Sequence, residues 1–331
     1  MRTLVITDLH LNARVQGLLG AQQECVKRIV REENPDDVII MGDVFMHRKP
    51  SPSSLLAFKR ILQFITAKGA HVTVLRGNHD SETKADDGVT ALSVFDYAGV
   101  DIVTLARCDH RKKRAYIPHY ENEETIIEFL EDIPSDYTAF GHFGYDGCLN
   151  SVGDADFALG LHHFRCDTLL GHIHGFRERR GGTTENPSRV ITLGTPYTTN
   201  YGEAFKENFY GVIEGGEINF ERIKHGPRHL VFTASNIQNN LDIINDPEYF
   251  TFLRVVRENE NDDIPMQDIK VAHLDVKYAP VFNEDEVSTY QPSRDLFSIN
   301  DVVIEDYVKE AITSIPTEKI MEGYRLLQDE N

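Results

Sequence analysis

The 331-residue chain is short of positive charge: 34 Lys and Arg stand against 53 Asp and Glu, a net charge of −19 with His neutral. Proteins that hold nucleic acid by overall attraction need a basic face to neutralise phosphate, and this balance argues against that mode of binding. An anionic substrate would have to be drawn by metal ions, a local basic rim or a partner. Cysteine is scarce as well. Cys25, Cys108, Cys148 and Cys166 lie far apart with no CxxC pair, so neither a disulfide framework nor a thiolate zinc site is indicated, and the four pack as small apolar groups. There is no run of about 18 apolar residues, no internal repeat, and no N-terminal stretch of signal type. The expectation is a cytoplasmic protein with no membrane association and, at roughly 150 residues per domain, about two domains.

What the sequence does contain, over its first 200 or so residues, is an alternation of short β-branched runs with longer helix-like stretches, the pattern of a layered α/β domain. Thr3 to Ile6, Val38 to Met41, His71 to Leu75, Tyr137 to Phe140 and Cys166 to Leu170 read as buried strands. Ala21 to Glu33 and Ser54 to Lys68 read as helices, with Ser53 or Ser54 as N-cap of the second and Gly69 as its stop. Near residue 225 the character changes. His225-Gly226-Pro227 is a break, beyond which Phe252 to Val256 and Val271 to Val276 look like strands on either side of the acidic stretch Arg257 to Asp263. From Asn300 onward apolar residues fall mostly on one helical face, and a second short helix is expected over Thr317 to Leu327.

Five polar clusters follow the five strands directly: Asp8-Leu9-His10, Gly42-Asp43, Gly77-Asn78-His79-Asp80, Gly141-His142 and Gly171-His172-Ile173-His174. Ligand-binding residues of open α/β sheets gather outside the carboxyl ends of strands, so the five turns are expected to meet in one crevice. Asp8 and Asp43 are 35 residues apart, as are Asp43 and Asn78, which fits one strand-helix unit per cluster. Two carboxylates, an amide oxygen and four imidazoles are too many ligands for a single ion that also keeps water. A carboxylate bridging two ions about 3.5–4 Å apart would use them all. Singly, each cluster is ordinary turn chemistry. Together, in this order and at strand ends, they are not.

On these residues the chain resembles the calcineurin-like metallophosphoesterases, whose pattern is DxH, GD, GNH, a later His and GHxH. More narrowly it resembles the SbcD-type nucleases and their bacteriophage relatives, on Thr7-Asp8-Leu9-His10, Gly42-Asp43-Val44-Phe45 followed by Arg48-Lys49-Pro50-Ser51, Gly77-Asn78-His79-Asp80, Leu170-Gly171-His172-Ile173-His174 and Leu193-Gly194-Thr195-Pro196. The resemblance implies an α/β metallophosphoesterase sandwich of central β-sheets flanked by helices over residues 1–228. It implies a smaller α+β capping domain that orients DNA over 229–295, and over 296–331 a C-terminal helical segment that binds an SbcC-type coiled-coil ATPase. Asp8, His10, Asp43 and His174 would hold one divalent ion; Asp43, Asn78, His142 and His172 would hold the other. Manganese is the metal of the nuclease relatives, and magnesium, iron or zinc suit the same donors. His79 would contact the scissile phosphate and assist the leaving group, with Asp80 orienting its ring. Relatives also form homodimers.

The implied function is a two-metal DNA phosphodiesterase, an exonuclease or endonuclease of recombination and repair. Two other readings keep the fold. One is a phosphatase or phosphodiesterase acting on a phosphoprotein or small phosphoester; against it, protein phosphatases carry GDxVDRG and GNHE where this chain has GDVFMHR and GNHD. The other is a catalytically silent DNA-end scaffold, disfavoured because every expected ligand is present. At the position where nuclease relatives often carry an auxiliary His or Asp, this chain has Met46, with His47 next to it. Arg48, Lys49, Arg76 and the run His110-Arg111-Lys112-Lys113-Arg114 are candidates for DNA backbone contacts, although a charge run is more often a solvated hairpin tip. His162 and His163 are expected to be packing or surface residues.

Overall fold

The structure is a computed structural model that describes residues 1–149, 157–259 and 262–278. The helical segment expected over 296–331 lies outside them. Met1–Ala279 form one compact unit. In chain order the first twelve strands are β1 (Arg2–Ile6), β2 (Asp37–Ile40), β3 (His71–Leu75), β4 (Val100–Val103), β5 (Arg107–Asp109), β6 (Arg114–Ile117), β7 (Thr138–His142), β8 (Asp167–Gly171), β9 (Arg177–Gly182), β10 (Pro187–Thr192), β11 (Phe209–Glu214) and β12 (Glu217–Arg222). They build two six-stranded sheets, ordered β12-β11-β1-β2-β3-β4 and β5-β6-β7-β8-β10-β9.

The strands that carry the motifs are buried on both faces, which is why they read as continuous apolar runs and not as alternation. Leu4, Ile6, Val38, Ile40, Val72 and Val74 point to one face of the first sheet, where helices α1 (Leu18–Glu33) and α2 (Pro52–Thr66) pack through Val26, Ile29, Val30, Phe58, Ile61 and Ile65. Val5, Ile39, Met41 and Leu75 point the other way and meet Tyr116, Phe140, Leu169 and Leu193 of the second sheet. Helix α3 (Glu123–Asp132) closes the far side through Ile126 and Leu130. The result is a four-layer sandwich of helices, two sheets and a helix. Each fully buried Val, Leu or Ile contributes about 1.5–3 kcal/mol through its removal from water.

Two helix starts differ from expectation. Helix α1 begins at Leu18, a turn earlier than Ala21. Helix α2 is capped by Ser51, whose side chain accepts from the Ser54 N–H at 3.2 Å, and not by Ser53 or Ser54. Pro52 explains the second case, since at the first helical position its missing N–H costs nothing.

The run His110 to Arg114 forms the turn between antiparallel β5 and β6 and the first residue of β6, and three of its cations pair within the chain. Lys113 pairs with Asp136 at 2.6 Å, Lys112 reaches Asp37 at 3.3 Å, and Arg114 binds Asp37 directly while donating to Thr3 Oγ1 at 2.7 Å. Asp37 and Arg114 are both buried, so this pair joins the first sheet to the second. His162 and His163 lie in a short surface turn, where His163 pairs with Glu131.

A third, all-parallel sheet follows: β13 (Gly226–Thr233), β14 (Tyr249–Arg257) and β15 (His273–Tyr278). It starts at the His225-Gly226-Pro227 break, and residue 228 lies inside β13. The sheet has its own core of Leu230, Ile237, Ile244, Leu253, Val255 and Ile264. Its register places His229, Phe252 and His273 side by side. Their rings stack at 4.6 Å spacing, with planes 11° and 7° apart.

Candidate metal centre

The turns after β1, β2 and β3 and the ends of β7 and β8 converge from the two facing sheets. Asp8, His10, Asp43 and His142 are buried almost completely, while Asn78, His79, His172 and His174 are half-buried. Donor atoms of Asp8, His10 and His174 lie within 4.8 Å of one another; so do those of Asp8, Asp43 and His142, and those of His10, Asp43 and His79. Asn78 closes the set, with its amide 3.1 Å from both His142 Nε2 and His172 Nδ1 and 3.2 Å from both Asp43 oxygens. All seven residues expected to bind metal therefore meet in one place, His79 with them.

The main chain is bent to achieve this. Seven non-glycine residues among those described have positive φ, and Asp8 (52°), His10 (41°), Asp43 (48°) and His172 (74°) are four of them. Each such conformation costs about 1–3 kcal/mol and persists only where its surroundings impose it. Here they do: the Asp8 and His10 N–H groups donate to the Gly42 and Asp43 carbonyls at 3.1 and 2.9 Å, and the His172 N–H donates to Asp8. Gly77 is demanded by contact, since a Cβ there would stand 2.2 Å from Asp43 Oδ1.

Hydrogen bonds at the back of the rings set their tautomers. Nδ1 of His142 donates to the Met41 carbonyl (2.5 Å), Nδ1 of His79 to the Met46 carbonyl (2.8 Å), and Nδ1 of His174 to Glu203 Oε1 (2.5 Å). The Nε2 lone pairs are left for the centre. There, His174 Nε2 is 3.0 Å from His10 Nε2, and His142 Nε2 is 3.3 Å from Asp43 Oδ1. Imidazole nitrogens and carboxylate oxygens gathered this closely are what divalent cations satisfy, and the mixed oxygen and imidazole donors suit such ions. The electrostatics follow from burial. It lowers His10 to about 4 against the pull of Asp43. At His142 burial also opposes the charged form, but the charge and hydrogen bond of Asp43 outweigh it and raise the ring to about 9.

Two expectations are corrected. Asp80 does not orient the His79 ring, which the Met46 carbonyl holds; its carboxylate accepts from the N–H groups of Gly77 (3.0 Å), Val44 and Phe45 (3.2 Å each), and so ties the turn after β3 to the turn after β2. A residue one place after His79 projects away from its neighbour's ring, so adjacency in sequence misleads here. Arg76 is not a surface cation. Its guanidinium is buried, bonding to Ser81 Oγ and the His119 carbonyl at 2.9 and 2.6 Å. Arg48 donates to the Thr83 carbonyl at 2.6 Å and stays part-exposed. At the Met46 and His47 pair, Met46 supplies its main chain to His79, whereas His47 Nε2 has no hydrogen-bond partner among the described residues.

Two residues escaped the sequence reading. His119, just past β6, packs its ring 5.9 Å from that of His172 and 6.3 Å from that of His142. Its single His in Ile117-Pro118-His119 carries no motif, and its position at a sixth strand end is the one signal that pointed to it. Glu203 reaches His174 from 29 residues downstream, with no periodicity linking them.

Facing sheets that deliver Asp, Asn and His donors from five strand ends into one crevice define a phosphoester hydrolase with a dinuclear metal site. The chain belongs to the calcineurin-like phosphoesterase family, whose model matches residues 1–176, more than half of its length. Similar solved structures include a Pseudomonas putida nuclease MPE (14% identity over 66% of this chain and 87% of that one, TM-score 0.32). An archaeal phosphodiesterase (14%, 67% and 99%, TM-score 0.36) and a dimetal phosphatase from Danio rerio (12%, 67% and 95%, TM-score 0.39) are also similar. No curated protein sequence matches. No helix among the described residues is long and apolar enough to cross a membrane.

Proposed function

We propose that this phosphoester hydrolase is a manganese-dependent DNA phosphodiesterase, the nuclease subunit of an SbcCD-like recombination or repair complex. The observation that supports the chemistry is the convergence of Asp8, His10, Asp43, Asn78, His142, His172 and His174 around one space. The feature that favours DNA over phosphoprotein is the sequence around that space, GDVFMHR and GNHD with Leu193-Gly194-Thr195-Pro196 downstream. Under this reading Asp8, His10, Asp43 and His174 hold one ion and Asp43, Asn78, His142 and His172 the other. Two bound ions would neutralise the phosphodiester and lower the pKa of water. Asp43, between the two sets, fixes their relation to each other. His79 has Nδ1 committed to Met46, which leaves Nε2 as the atom that carries a proton to the departing oxygen.

The test compares degradation of end-labelled duplex and hairpin DNA in manganese with hydrolysis of phosphopeptides and cyclic nucleotides under the same conditions. Metal-dependent cleavage of DNA in preference to the small esters supports the reading; faster turnover of phosphopeptides replaces it with the phosphatase alternative. Residues 296–331 are assigned to an SbcC-type coiled-coil ATPase partner. Removing them should leave manganese-dependent cleavage intact and abolish co-purification with that ATPase.

A further inference from the structure

A buried carboxylate that the mechanism does not use touches a ring of the centre. Glu203 is 2% exposed and sits in the short helical turn Tyr201–Glu203, far from any of the five motifs. Its two oxygens face opposite ways. Oε1 accepts from His174 Nδ1 at 2.5 Å, and Oε2 accepts from the N–H and hydroxyl of Thr199 at 2.6 and 3.0 Å. The turn is itself anchored: Asn200 caps it through the Gly202 N–H at 2.8 Å, and Tyr201 lies under the Arg254 guanidinium at 3.9 Å with its ring edge against His229 at 4.9 Å. Glu203 thus has a fixed position from which to hold a ring.

The histidines of the centre are not held alike. His142 and His79 lean on neutral main-chain carbonyls, whereas His174 leans on a carboxylate. An anionic acceptor at Nδ1 fixes the tautomer, aims Nε2 and raises its basicity as a ligand; such an outer partner is commonly worth 10- to 100-fold in metal affinity. His174 shares its cluster with Asp8 and His10 and, among the described residues, makes none with His142. We propose that Glu203 is a positioning residue that selectively sets the affinity of the Asp8–His10–His174 metal position, leaving the Asn78–His142–His172 position unaffected. This rests on the dinuclear reading of the site and does not depend on DNA being the substrate.

The test is a manganese titration of the full chain without nucleic acid, read by bound-metal stoichiometry and by the electron paramagnetic resonance signal of the coupled ion pair. Glu203→Gln should weaken one of two ions by about 10- to 100-fold, leave the other at wild-type affinity, and replace the coupled signal by that of an isolated ion. Adding Glu203→Gln to His174→Ala should cause no further loss, while adding it to His172→Ala should be additive. Thr199→Val, which keeps the carboxylate and loosens its clamp, should weaken the same ion several-fold and serves if Glu203→Gln does not fold. Wild-type affinity at both positions in a folded Glu203→Gln or Thr199→Val protein, or equal weakening of both, overturns the proposal. A wild-type protein that binds two ions but cleaves no DNA would sink the nuclease assignment and leave this inference standing.

Discussion

At the scale of single residues, the centre divides into groups that face the shared space and groups that hold them. Asp43 faces two clusters at once, one with Asp8 and His142 and one with His10 and His79, so it has no substitute. Asp43→Asn should abolish turnover and release both ions, as read by elemental analysis of the dialysed protein. His79 lies in ligand range of His10 and Asp43, yet its predicted task is proton transfer. His79→Ala should therefore keep both ions while losing about 10²- to 10⁴-fold in rate. Loss of an ion together with the rate would show that His79 is a ligand, and the separation of ligand from proton donor would fail.

At the scale of elements, the third sheet is joined to the sandwich through neutral imidazole. His229 stacks on Phe252, and its Nδ1 is 2.9 Å from Thr198 Oγ1. Burial lowers its pKa from 6.5 to about 4. The unfolded chain therefore takes up this proton first. The stability that depends on the neutral ring is complete above about pH 6.5 and is lost as pH falls toward about 4, by up to about 3 kcal/mol. Urea unfolding of metal-free protein at neutral pH and at about pH 4.5 should show that drop, and His229→Phe should reduce it by about 2–3 kcal/mol. The two large sheets are joined differently, by Arg114 against Asp37. Arg114→Ala leaves a buried carboxylate without its strongest partner and should cost about 3–5 kcal/mol in the same assay.

For the whole molecule, charge is the property that counts. The net charge is −19, and Arg76, Arg114, Lys112 and Lys113 are engaged by groups of the chain itself, so these four are not free to hold phosphate. In a chelator at physiological salt, duplex DNA should bind more weakly than about 10⁻⁴ M in a mobility-shift titration, the weak end of non-specific binding. Manganese should restore retention. Tight binding in the chelator would mean that surface cations hold DNA without the metal ions.

The five motif-bearing strands, helices α1 and α2, and the Asp, Asn and His residues that meet in the centre were legible in the sequence, because each is a local matter, whereas β4 to β6, β9 to β13 and α3 were not. A strand buried on both faces shows apolar neighbours without alternation, as in Leu4-Val5-Ile6 and Val38-Ile39-Ile40, and a turn that must carry a ligand shows Gly beside Asp, Asn or His. Partnership was not legible. That Asp80 pins main chain while Met46 holds His79, that Arg76 turns inward, and that Glu203 and His119 stand beside the centre depended on how two sheets face each other. The contacts bridge 29 residues between Glu203 and His174, 33 between His79 and Met46, 36 between Asp80 and Val44 and 43 between Arg76 and His119. Residue types and their spacing determined which atoms were available for chemistry. Only the packed tertiary structure decided which of them point at one another, because side-chain direction is set by the layer a residue packs into and by the neighbours that layer supplies.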